Sequence, residues 1–115
     1  MIRDGITKII DEYDPSFGAV EGGFVGTNAR SALLLGHARA IAILTLGDGN
    51  LTVSEYSPSL VKQTVVGYGH STKQQVAEMV RLQLNLKQRP KPADASDALA
   101  IAITHWAHLK SNLLK

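Results

Sequence analysis

Apolar residues follow a helical period in some stretches of this chain and form short runs in others, which predicts alternating helices and strands. The helical spacing holds in residues 1–13, 29–46, 59–66, 73–84 and 93–110. Short apolar or alternating runs predict two strands, at residues 16–24 and 51–56. The order helix, strand, helix, strand and then helices is typical of an α/β fold with a parallel sheet. Because two strands make a poor sheet, further strands or a partner chain would have to complete it.

Capping residues mark where two of these helices begin. Ser57 and Pro58 suit the N-cap and the first position of a helix. Ahead of the next helix, two pairs fit a capping box, and the sequence leaves both open: Ser71 with Gln74, and Thr72 with Gln75.

The second predicted helix, Ala29–Leu46, has little polar surface. Small residues are mixed with leucine and isoleucine all around it, and a helix this apolar must be covered on more than one side. Because a chain of 115 residues has few elements to cover it, we expect this helix to lie between two subunits. The run Ala98–Ile103 in the last helix is also apolar almost all round, and we expect it to be buried.

Size and composition indicate one globular domain spanning residues 1–115, with a modest core. The chain has no cysteine, which excludes a disulfide scaffold, a thiolate metal site and a cysteine nucleophile. It has no apolar run of about 18 residues, which a transmembrane helix needs, and charged residues interrupt any signal-peptide core near Met1. These features favour a cytoplasmic location for the protein. The net charge of +2 is compatible with nucleic-acid binding without indicating it.

Two carboxylates, Asp94 and Asp97, stand in the first turn of the last helix. Their spacing places both on one side of that helix. One interpretation is that they cap the helix and complement its dipole. The other is that they bind Mg²⁺, which takes one or two carboxylates with water and phosphate. Glu21 stands at the carboxyl end of the first strand, where ligands bind in α/β sheets, although a solvated acid at the start of a loop is the alternative. Acids at a strand end and at a helix start can converge on a divalent-metal site, and these three are the strongest chemical set in the sequence.

Three further side chains suit contact with nucleic acid. Lys62 and Lys73 flank the loop Gly67-Tyr68-Gly69 and are placed to reach phosphates, although ordinary solvated lysines are the alternative. Phe24 follows two glycines, and it either stacks on bases or covers the edge of the core. The four histidines are scattered and lie away from Asp97, so structural roles are favoured for them over metal ligation.

Four segments form a recognisable set in this order: FGAVEGGF (17–24), NARSALLLGHARAIAI (28–43), EYSPSLVKQTVVGYGHSTKQQVAEMV (55–80) and ADASDALAIAITH (93–105). Together they resemble the RuvC family of Holliday-junction resolvases, from about Ile2 to His105. The resemblance implies a ribonuclease H-like α/β fold, with helices packed on a small sheet. It also implies a homodimer that cuts four-way DNA junctions with Mg²⁺ or Mn²⁺ and works with a branch-migration helicase. The lack of a long apolar run separately predicts no membrane partner.

The resemblance also assigns roles to particular positions. It implies three catalytic, metal-binding acids: Glu21, Asp94 and Asp97. It implies an aromatic residue that contacts bases and two basic residues near the cleaved strand: Phe24, Lys62 and Lys73. Ala29–Leu46 matches the helix that joins two subunits in the family, which agrees with its unsatisfied apolar surface.

Two features depart from the family pattern. The family opens with a strand of the type I-D-P-G, whose Asp is a fourth catalytic acid, whereas this chain begins inside the helix that should follow. Gly22-Gly23 stands where the family usually has two bulkier residues. We therefore expect a fold truncated at the N-terminus. A metal-dependent endonuclease is the first hypothesis, and a catalytically inactive junction-binding module is the alternative.

Overall fold

The computed structural model describes residues 2–22 and 40–113. In chain order, its elements are α1 (Ile2–Tyr13), β1 (Phe17–Glu21), α2 (residues 40–48), β2 (Thr52–Tyr56), α3 (Pro58–Val65), α4 (Lys73–Gln83) and α5 (Ala93–Leu113). β1 and β2 pair in a two-stranded sheet. The predicted order of helices and strands is confirmed in these ranges. Residues 29–39 of the predicted subunit helix lie outside the described residues.

The chain divides into two compact units, Met1–Glu55 and Tyr56–Lys115. The first contains α1, β1, α2 and most of β2, and the second contains α3, α4 and α5. A single domain over residues 1–115 stays a prediction. Across residues 2–22 and 40–113, no helix is long and apolar enough to cross a membrane.

In the first unit, two glycines allow close packing with both helices. A Cβ atom added to Gly18 of β1 would lie 2.9 Å from Cδ1 of Leu46 in α2. One added to Gly49 would lie 3.0 Å from Cδ1 of Ile10 in α1. Asp14 ends α1 in the left-handed region, with a φ of 46°, while its N–H still donates to the carbonyl of Ile10 at 2.8 Å. Because a left-handed residue cannot continue a helix, the chain turns here toward β1.

The second unit is built around one apolar core, where α3, α4 and α5 pack on one another. Its buried members come from all three helices: Val61, Val65, Val76, Val80 and Ala100. Val80 and Thr104 are completely buried, and the Thr104 hydroxyl donates to the carbonyl of Ala100 at 2.8 Å, which satisfies it. Helical spacing places three residues of α4 on one face, and that face packs inward: Val76 and Val80 are buried in this core, and Met79 packs against it.

Side-chain caps begin α3 and α4. The N–H of Leu60 donates to Oγ of Ser57 at 3.2 Å, as predicted for that N-cap. At α4, the Thr72 N–H donates to Oε1 of Gln75 at 2.8 Å, and the Gln75 N–H donates to Oγ1 of Thr72 at 3.1 Å. This reciprocal pair is the capping box. The alternative box of Ser71 with Gln74 does not form, because α4 begins at Lys73 and Thr72 is its N-cap; Ser71 lies one residue earlier and is buried.

The apolar run Ala98–Ile103 is less buried than predicted. Only Ala100 is fully buried, whereas Ala98 and Ala102 are exposed. The expectation of burial all round is therefore wrong, because α3 and α4 together cover only part of the circumference of α5 within this unit.

Candidate functional site

The start of α5 carries the two aspartates singled out in the sequence. Asp94 lies in the first turn, whereas Asp97, which the sequence also placed there, is the fifth residue of the helix. α5 begins at Ala93, directly after Pro92, and the Ala95 N–H donates to the Pro92 carbonyl at 2.9 Å. Asp94 is exposed, and the Asp97 side chain is 41% exposed. Because the two stand three residues apart in one helix, their carboxylates lie on the same side of it. Water and phosphate therefore have access to both carboxylates.

Lys73 lies beside the start of α5. Its Nζ, on the first residue of α4, is 3.7 Å from Oδ2 of Asp97. The two side chains are 76% and 41% exposed, so water and salt screen the pair, and it contributes at most about 1 kcal/mol to stability. An ion pair this weak opens readily, which leaves the ammonium group available to an anion such as phosphate. The structure thus brings together two residues that the sequence had singled out separately.

The remaining predicted residues are distributed over other elements. Glu21 is exposed at the end of β1, where the sequence placed it, and it belongs to the first compact unit. Lys62 is a half-buried residue of α3, and within the described ranges it has no ion-pair partner. Phe24 lies outside the described residues. Because Glu21 and the two aspartates belong to different compact units, their convergence stays a prediction.

The chemistry of the aspartate pair fits a hard divalent cation. Across residues 2–22 and 40–113, no three His, Cys, Asp or Glu side chains form a group that could hold a metal ion. Mg²⁺, however, typically takes only one or two carboxylates, and waters and substrate phosphates supply its other ligands. Asp94 and Asp97 provide such a pair with open solvent beside it. They therefore suit one ion, and a second ion would need further donors.

Tyr56 contacts α5 through two histidines, an arrangement that the sequence did not reveal. Its Oη is 2.7 Å from Nδ1 of His105. The ring centroids of Tyr56 and His108 are 5.2 Å apart, and those of Tyr56 and His105 are 5.8 Å apart. These contacts agree with the structural roles predicted for the two histidines. Their shared helix face is the only sequence signal for the cluster, since no local pattern indicates Tyr56.

Sequence reasoning also missed a cluster of one acid and two arginines. Oε1 of Glu78 accepts a hydrogen bond from Nε of Arg81 at 2.8 Å, and Oε2 accepts one from Nε of Arg89 at 2.9 Å. The hydrogen bonds from Arg81 and then Arg89 lower the pKa of Glu78 from 4.5 to about 2. The bond with Glu78 also raises the pKa of Arg81. The spacing of Glu78 and Arg81 is a sequence signal for their contact, but no local pattern indicates Arg89.

Comparison with known sequences finds similarity along nearly the whole chain. The sequence model of the family described as "Crossover junction endodeoxyribonuclease RuvC" matches residues 1–105. A relative with that description from Yersinia enterocolitica is 51% identical over 115 residues, and one from Dehalococcoides mccartyi is 47% identical over 107 residues. These matches cover 100% and 93% of this chain. The chain spans 65% of the length of each relative.

Two solved structures of Thermus thermophilus RuvC have the same fold. One is described as the RuvC structure, with a TM-score of 0.86, and the other, with a TM-score of 0.89, is RuvC in complex with a Holliday junction substrate. Each is 33% identical to this chain and covers 96% of it, and the matched part is 67% of the solved chain. The predicted ribonuclease H-like α/β fold is therefore confirmed.

Proposed function

Because this chain belongs to the RuvC family, we propose that it acts in DNA recombination and repair as a metal-dependent endonuclease that resolves Holliday junctions. The observation that carries the proposal is the exposed pair Asp94 and Asp97, with Lys73 beside it. Two carboxylates suit a divalent cation, and a neighbouring ammonium group attracts a phosphodiester. The similarity to a RuvC that holds a Holliday junction substrate supports the substrate class.

The residues have separate roles in this proposal. Asp94, Asp97 and Glu21 would hold Mg²⁺ or Mn²⁺, which when bound activates water for attack on phosphorus and stabilises the leaving oxygen. Lys73 leaves its weak pair with Asp97 and donates to a phosphate oxygen of the cleaved strand. Lys62 contacts a second phosphate. Each of these lysine contacts releases counterions from the DNA, so the affinity falls as salt rises.

The proposal extends to partners. The substrate is a four-way DNA junction, and Phe24 stacks on its bases. A homodimer forms through Ala29–Leu46, because one chain has too little apolar surface to cover this helix. A branch-migration helicase acts with the dimer in the cytoplasm. Sedimentation equilibrium measures the assembly, and a chain that stays monomeric at high concentration contradicts the dimer.

Cleavage of a synthetic four-way junction tests the function, with Asp97→Asn as the test variant. We expect the wild type to cut symmetrically in Mg²⁺ and the variant to cut on the order of 100-fold more slowly or worse, because losing even a partner of a metal ligand typically costs 10- to 100-fold. Junction binding without divalent metal is expected to stay equal or tighten, since the variant removes a negative charge near phosphate. Asp48→Asn is the matched control, because Asp48 is also an exposed acid paired with a basic residue, Arg3, at 3.2 Å.

Two outcomes contradict parts of this proposal. Equal cutting by the wild type and by Asp97→Asn would show that Asp97 takes no part in cleavage. Junction binding by the wild type without cutting, at any Mg²⁺ or Mn²⁺ concentration, would identify a catalytically inactive junction-binding module instead.

A further inference from the structure

The connection between α4 and α5, residues 84–92, is rich in basic residues, and contacts beyond the end of α4 hold it to that helix. Arg81 holds its first part: the Leu86 N–H donates to the Arg81 carbonyl at 2.9 Å, and Nη1 of Arg81 donates to the Leu86 carbonyl at 3.3 Å. Glu78 holds the middle of the connection, because its carboxylate accepts a hydrogen bond from Nε of Arg89 at 2.9 Å. We call residues 84–92 the basic loop.

The three basic side chains of this loop have different environments. The guanidinium of Arg89 forms an ion pair with the carboxylate of Glu78 in the same chain. Lys87 and Lys91 are exposed, and in the part of the chain that the structure describes neither has an ion-pair partner. The cluster of Glu78, Arg81 and Arg89 is itself cationic, because one carboxylate faces two guanidinium groups. The two lysines, which have no ion-pair partner in this part of the chain, therefore add to the positive charge of the loop.

The loop keeps its conformation at neutral pH. The hydrogen bonds from Arg81 and Arg89 hold the pKa of Glu78 at about 2, so the carboxylate stays ionised at any pH at which DNA binding is measured. A loop fixed at Leu86 and Arg89 loses little conformational entropy when its lysines meet a ligand.

The loop also leads directly into the candidate site. Lys91 stands three residues before Asp94, and three residues of chain span at most about 11 Å between Cα atoms. A DNA strand advances about 3.4 Å per nucleotide. A phosphate within a few nucleotides of one bound at Asp94 is therefore within reach of the Lys91 side chain.

We propose that Lys87 and Lys91 form a fixed ridge that contacts the phosphate backbone of DNA beside the acids, and that Arg89 holds this ridge through Glu78 instead of binding DNA. The inference rests on the proposed function, which supplies the DNA. It assigns two roles within one short loop: Lys87 and Lys91 contact DNA, and Arg89 holds the loop in place.

The salt dependence of binding to a synthetic four-way junction separates these tasks. The affinity of the full chain is measured without divalent metal over a range of KCl concentrations, for the wild type, Lys87→Gln, Lys91→Gln and Arg89→Gln. Each lysine variant is expected to reduce the slope of log K against log salt by about 0.9, as loss of one phosphate contact does in B-form DNA. Arg89→Gln is expected to weaken binding by about 2- to 10-fold with an unchanged slope, because it frees the loop without removing a phosphate contact.

Lys110→Gln is the control in the same unit. Lys110 lies 13 residues beyond Asp97 on α5, which is about 20 Å along the helix axis. Its Nζ lies 5.1 Å from the centroid of the Trp106 ring. Removing this charge is expected to leave both affinity and slope unchanged.

The results distinguish the ridge from the function on which it rests. Salt-dependent junction binding by the wild type, with wild-type slopes in both lysine variants, overturns the ridge alone. A reduced slope in Arg89→Gln overturns the assignment of Arg89 as a holding residue. If the wild type shows no salt-dependent affinity for the junction, the proposed function fails and the ridge with it.

Discussion

Replacing Val80 of α4 tests whether the apolar core stabilises the second unit. Its side chain is completely buried in the core that α3, α4 and α5 share. Val80→Ala removes two buried methyl groups, and about 0.8 kcal/mol of transfer free energy for each, with a cavity term added, gives a loss of about 2–3 kcal/mol. That is a large fraction of the stability of an ordinary small domain.

Urea denaturation followed by tryptophan fluorescence measures this loss. Trp106 is the single tryptophan and lies on α5, so its signal reports the second unit. Leu82→Ala is the matched control on the same helix, because Leu82 is 54% exposed and its truncation is expected to change stability by less than about 0.5 kcal/mol. A cost for Val80→Ala no larger than that of Leu82→Ala would refute the assigned core.

Two further predictions concern polar contacts of the same unit. Tyr56→Phe removes the hydroxyl 2.7 Å from Nδ1 of His105, and urea denaturation is expected to show a loss of about 1 kcal/mol; a neutral result would mean that ring packing alone holds Tyr56. Glu78 has a pKa lowered from 4.5 to about 2, so its ionised form stabilises the folded state above pH 4.5, and this contribution is lost as the pH falls through about 2. The melting temperatures of wild type and Glu78→Gln are therefore expected to differ most near pH 6 and to converge near pH 2, and an equal difference at both pH values would contradict the role of the charge.

Local chemistry explains why several elements could be predicted from the sequence. Ser57 caps α3 as predicted, because its hydroxyl satisfies an N–H within the same turn. At α4 the sequence offered two capping boxes, and only the structure selects Thr72 with Gln75. Both pairs fit the motif equally well in the sequence, so the local pattern does not indicate whether Ser71 or Thr72 is the N-cap.

Contacts between distant residues account for what could not be predicted. Glu78 and Arg89 are 11 residues apart, and Tyr56 and His105 are 49 apart. No helical or strand period connects such pairs, so their meeting follows from how the helices pack. The motif resemblance named Lys73 and Asp97 as site residues, but it did not indicate that they face each other.

The apolar core gives a physical reason why Lys73 and Asp97 lie beside each other. Val76 follows Lys73 by three residues on α4, and Ala100 follows Asp97 by three residues on α5, so each charged residue lies one turn from a residue of the same buried core. The ion pair, at 3.7 Å and largely exposed, is too weak to set the positions of two helices. Burial of apolar surface therefore positions Lys73 beside Asp97, and their charges remain free to act on a ligand.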